Sequence, residues 1–150
     1  MWFSTGEASR CRDVVEVTLS TLPADATCVR LEAQAHYGVV LKQHQPGNLF
    51  VAEQISYLFP LFPPSAIDER GIRVWVRTER APERLVNVET MTVTGRLAPI
   101  GPGDVPLGAE VEIGRRGGYF FEDFAMLLVP DEIRSGDEVW TRILAQPAHE

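Results

Sequence analysis

The chain has 150 residues, the size of one ordinary domain, and 45% of them are apolar against 23% charged, a globular balance that excludes an intrinsically disordered segment. A formal net charge of −7 repels a polyanion at long range, so non-specific nucleic-acid binding would need a local basic patch strong enough to overcome the field of the whole molecule. No window reaches the roughly 18 to 20 apolar residues that span a bilayer, and no secretory leader pattern is present.

The first residues, Met1-Trp2-Phe3, carry two readings: aromatic residues that follow a membrane anchor, or a chance pair behind a start methionine. Cys11 and Cys28 lie seventeen positions apart. Their pairing would close a loop worth on the order of 3 kcal/mol in the chain-entropy model, and two free thiols fit the count equally. Val15, Val17 and Leu19 alternate with polar residues as a first strand that stops at Pro23. Val29, Leu31, Ala33, Ala35 and Tyr37 define the inward face of a second strand, with Arg30, Glu32, Gln34 and a solvated His36 on the other, and the run turns at Gly38.

Residues 39–41 continue as a short extended piece before the polar turn at 42–48, marked by Pro46-Gly47. Across residues 48–62, Leu49, Val51, Ile55, Tyr57, Phe59 and Leu61 share parity as a long bent strand, with Glu53 as the one break. A short helix over the first half is the alternative, and Pro60, Pro63 and Pro64 confine the part after Phe59 to an edge or a loop. Ile72, Val74 and Val76 then alternate with Arg73, Trp75 and Arg77 as a clear strand. After the charged connector 77–84, residues 86–100 form another, interrupted at Gly95 where a barrel strand bends or bulges.

Residues 100–108 read as an irregular Gly/Pro loop. Residues 109–114 and 119–130 then read as the two strands of a hairpin, joined by Arg115-Arg116-Gly117-Gly118 with both arginines exposed at the tip. Glu122 and Asp123 beside that basic pair argue against a phosphate ligand there. A turn at Ser135-Gly136 leads to a last strand or short helix through Val139 to Leu144, and residues 145–150 are a polar tail.

The expected fold is a single mainly β domain over residues 1–150, with its core at about 13–144. It is a small OB-like barrel or a sandwich of about 6–8 strands with at most one or two short helices. No catalytic residues, metal or cofactor are expected. Cys28, His36 and His44 lack paired-ligand spacing, no serine sits in a nucleophile motif, and the Gly-rich loop at 101–108 lacks a Lys-Ser/Thr ending. Aromatic residues exceed what one face of a small barrel needs. Tyr57, Phe59, Phe62 and Trp75 are therefore the expected contact residues, with Arg115 and Arg116 as an exposed tip.

The segment order, with residues 71–79 followed by 89–99, resembles OB-like barrels. Residues 29–34, 56–61, 71–78 and 91–99 are also similar to the membrane-anchored Surfeit-locus family of cytochrome-oxidase assembly factors, although that family's Arg-Gly-Trp-Val run is here Arg73-Val74-Trp75-Val76. The resemblance implies a non-catalytic binding or assembly module, the soluble domain of a membrane-anchored protein. Its partner would be a protein, with a membrane nearby and a membrane-associated or extracytoplasmic place favoured over the cytoplasm. An OB-type nucleic-acid binder using Arg73, Trp75, Arg77 and the hairpin arginines, and an enzyme whose site is assembled from distant residues, are the alternatives.

Overall fold

A computed structural model describes residues 11–64, 68–79, 87–101, 103–136 and 138–141. The Trp2-Phe3 pair, most of the 77–84 connector and the polar tail lie outside them. The elements run β1 (Val15–Val17), β2 (Thr27–His36), a 3-10 turn (Tyr37–Val39), β3 (Leu41–Gln45), β4 (Gln54–Phe62), β5 (Gly71–Thr78), β6 (Val88–Pro99), helix α1 (Ala109–Gly117), β7 (Phe120–Ser135) and β8 (Glu138–Thr141).

The protein is mainly β, as expected. Seven strands follow the order β1-β2-β6-β7-β5-β4-β3, β8 pairs with β7, and an added β2–β4 contact bends the sheet into a near-ring. Within the ring every pairing is antiparallel except that of β5 with β7. Alternation accounts for the interior: Val29, Leu31, Ala33, Ala35, Phe59, Leu61, Val74, Val76, Met91, Val93, Leu97, Leu128 and Ile133 meet there in one buried cluster.

Gly95 behaves as its place in the sequence predicts. The register between β6 and β7 slips between Thr94 and Gly95, so that Gly95 faces Pro130 and Asp131 is left over as a bulge. A side chain at 95 would run into the Val129 carbonyl oxygen and come within 2.6 Å of Pro130 Cα, so the close approach of the two backbones requires glycine.

The polar turn expected at 42–48 is strand β3 as far as Gln45, and three further expectations are corrected. Residues 109–117 are helical, because Ala109 and Ile113 stand one turn apart and are buried together. Glu110 and Glu112 occupy the first turn, Arg115 and Arg116 the last, which suits the helix dipole. Gly118, at φ 77°, ends the helix by donating to the Gly114 carbonyl at 2.8 Å, with Tyr119 N–H reaching Ile113 O. The arginines thus belong to a helix C-terminus and not to a hairpin tip.

Secondly, β4 begins only at Gln54 and is an interior strand, neither an edge nor a loop after Phe59. Its neighbour changes from β3 beside Leu58 to β2 beside Leu61, and Pro60 falls at that handover, where a missing N–H breaks no ladder on that side. Thirdly, His36 is buried, 6% exposed, because α1 and Tyr119 cover the outer face of the sheet near the end of β2.

Candidate functional site

The outward faces of β4, β5 and β7 form a second buried cluster. Leu58, Phe62, Ile72, Trp75 and Leu127 pack with Leu41 beneath Ala109 and Ile113 of α1. Trp75 is fully buried there and tilts against Phe121 at 5.4 Å. Phe59 is fully buried on the interior side against Tyr37, and Tyr57 is half-buried. Arg115 and Arg116 are exposed on α1. Arg116 bonds Glu112 at 2.7 Å and the Val40 carbonyl at 2.8 Å, which ties the helix to the β2–β3 connection. The expected contact residues therefore do not share one surface.

His36 lies in the same layer. Its ring contacts Phe62 at 4.3 Å between centroids, and Nδ1 is 3.3 Å from the Tyr119 hydroxyl, while Arg70 stands over the Tyr119 ring. Burial first, and the Arg70 charge second, hold the His36 pKa below its ordinary value. Neither His36 Nε2 nor Trp75 Nε1 has a hydrogen-bond partner among the described residues.

The exposed feature that does gather side chains is the seam between β2 and β4. On that edge of β2, β1 pairs with Val29–Leu31 and β4 with Gln34 and Ala35. The pairing with β4 ends at Phe62; continuing its register would set Pro63 against Ala33 and Pro64 against Glu32. Neither proline has an N–H to donate, so the strands part.

The resulting cleft has a volume of about 650 Å³, within the range of ligand sites. Leu61, Phe62, Pro63 and Pro64 line its apolar part, and Glu16, Glu32, Glu69 and Arg73 its polar rim. Of the expected contact residues, Phe62 alone borders it.

A strap formed by residues 11–24 makes the far wall. The disulfide Cys11–Cys28 fastens its start, and the bulge residue Asp131 accepts the Cys11 N–H at 2.8 Å. Leu19 is buried in the interior cluster of the near-ring, and Arg73 donates to the Leu19 carbonyl at 3.0 Å. Beyond Arg73 a second depression of about 480 Å³ runs between residues 19–24 of the strap and residues 122–126 of β7.

At this point β7 bulges strongly. Ile72 pairs with Phe121 and Val74 with Met126, so residues 122–125 all face Arg73 alone. Phe124 there takes φ 63° and is 95% exposed, a conformation bulky side chains rarely adopt.

No histidine or cysteine is among the described residues lining the main cleft. Its hydroxyl groups, Thr18, Ser20 and Thr21, hydrogen-bond one another at 2.9 to 3.1 Å. Among the described residues no group of three metal-ligating side chains converges. The arrangement suits recognition by shape and charge: an apolar slot beside three carboxylates and one guanidinium.

Sequence reading missed this site because its parts come from four stretches, 16–21, 32, 61–64 and 69–73, that only the folded sheet brings together. Only Pro63-Pro64 carries a local signal, and by itself it reads as the end of an edge strand. Comparison of the chain with protein-family models, curated proteins and solved structures gives no match.

Proposed function

We propose that this chain is a non-catalytic binding and assembly module, the soluble domain of a membrane-anchored protein, which takes a segment of a protein partner in the seam cleft. The observation that carries the reading is the cleft itself, an opening in the ring kept free of strand pairing by Pro63 and Pro64. A partner segment with a basic side chain beside apolar ones matches Pro63 and Pro64 on one side and Glu32 and Glu69 on the other.

The disulfide supports an oxidising, extracytoplasmic place, since such bonds are rare where thiols are kept reduced. The strand order of the ring resembles OB-type barrels, which bind oligonucleotides on the second and third ring strands. In this chain those strands are β4 and β5, and Trp75 on their outer face is buried beneath α1. An aromatic ring enclosed in that way offers no base-stacking platform.

Selection from a displayed random-peptide library against the intact chain tests the binding reading. Peptides pairing Lys or Arg with apolar residues are expected, and Glu32→Arg with Glu69→Arg should weaken them more than tenfold. Failure to select any peptide, or indifference to both changes, overturns it. Fractionation of the native protein tests the anchor: recovery in the soluble fraction without detergent removes that part.

A further inference from the structure

The hairpin joining β3 to β4 ends in a turn that displays apolar side chains instead of hiding them. Leu49 is 94% and Phe50 91% exposed, and Val51 beside them is also exposed. The turn has its own hydrogen bonds: Asn48 Oδ1 accepts from Phe50 N–H at 2.7 Å and Val51 N–H at 2.8 Å, and Asn48 N–H donates to the Val51 carbonyl. Behind it, His44 bonds Glu53 across the ribbon.

Apolar side chains held outward on an ordered tip, with charged groups one step behind, make an amphipathic wedge. A second exposed apolar side chain follows a loop that is tied to β3 and β5. Gln43 Nε2 donates to Gly103 O at 2.7 Å, and Arg77 faces Asp104 at 3.8 Å. These contacts fasten the loop that leads to the fully exposed Leu107 against β3 of the hairpin and the neighbouring β5.

We infer that this end of the molecule is a lipid-contact surface, with Leu49 and Phe50 entering the interfacial layer of a bilayer. Area favours lipid over a protein. A stable protein interface needs roughly 800 Å² from each partner, whereas three side chains on a convex tip supply a few hundred at most, on the order of 150–250 Å² for the aromatic one. A bilayer accepts such a wedge without a shaped pocket, and Phe and Leu are favoured at its boundary. The net charge of −7 points to zwitterionic and not anionic headgroups. The inference deepens the membrane-bound reading above and rests on it for the membrane being near, but it uses none of the cleft residues.

Flotation of the purified chain with phosphatidylcholine vesicles tests it. The chain is expected to float, and Leu49→Ser with Phe50→Ser to lower the partition coefficient at least about tenfold, from the apolar area removed. Both side chains are solvent-facing, so the thermal midpoint of the double variant should not move. A Phe50→Trp variant reports entry directly, through a blue-shifted emission quenched by brominated lipid. The inference is overturned if the chain does not float and the Phe50→Trp emission is not quenched, if flotation survives the double change, or if the tip drives self-association in gel filtration with no vesicle binding. Glu32→Arg with Glu69→Arg should leave flotation unaltered, which separates failure of the tip from failure of the cleft.

Discussion

The two edges of β2 differ sharply. On one, all ten residues from Thr27 to His36 pair with β6; on the other, β1 takes three, β4 takes two, and Glu32 and Ala33 between them meet neither strand. The same strand with the same alternation thus builds a closed wall on one side and a cleft on the other. The difference lies in the neighbours. β6 offers a continuous run of donors opposite β2, whereas the chain beyond β4 offers Pro63 and Pro64. A ring of this size can be opened by two residues that lack an N–H.

The open edge is closed from outside by the strap, and removing its fastening is the strongest way to abolish the contrast. Cys11→Ala with Cys28→Ala should cost about 3 kcal/mol by the loop-closure argument, read as a lower urea midpoint. It should also loosen residues 15–19, read as faster amide exchange there than in β6. Uniform loosening of both edges would show that the strap serves the whole sheet and not the seam.

Across β6 from the closed edge lies the β6–β7 bulge. Gly95→Ala places a methyl against the Val129 carbonyl and Pro130, and about 2 to 3 kcal/mol of destabilisation is expected from chemical denaturation. A loss below about 0.5 kcal/mol, the scale of an ordinary surface change, would mean that the bulge shifts at no cost.

His36, at the end of β2, gives a pH-dependent comparison. Its pKa in the folded chain is lowered below the ordinary 6.5, so the unfolded chain binds the proton more readily. Stability is then full above about pH 6.5 and falls as the pH drops toward the folded value. His36→Phe keeps a ring against Phe62 and should flatten that part of the stability curve. An unchanged slope between about pH 7 and pH 5 would assign the acid sensitivity to other groups.

The smallest effect should come from restoring donors at the seam. Pro63→Val with Pro64→Val permits the β2–β4 ladder to continue, with a gain below about 1 kcal/mol and slower amide exchange along Glu32 and Ala33 than in the native chain. Weaker binding of any peptide selected for the cleft should accompany it. Unchanged exchange would mean that the seam is held open by something other than the prolines.

Much of the sheet was legible in the residue order. Period-two alternation located β2, β5 and β6, Ser135-Gly136 marked the β7–β8 turn, and Gly95 marked a bulge, because these features depend on backbone pitch and on the absence of a side chain at one residue. Alternation misled at residues 109–114, where Ala109, Val111 and Ile113 read as a strand face. The helix was written instead in its end signals, acidic residues first, arginines last and glycine after them.

The class of the fold and the place of most strands thus follow from constraints acting over a few residues, which any stretch of the chain carries within itself. Accessibility of the aromatics does not, since the burial of Trp75 and Phe59 depends on a helix and a facing sheet far away in the chain. Nor does the cleft, because Glu16, Glu32, Phe62, Glu69 and Arg73 become neighbours only when the sheet curls until β2 meets β4 and stops short of closing. Side-chain chemistry is local, whereas the distance between side chains is set by how the whole sheet closes.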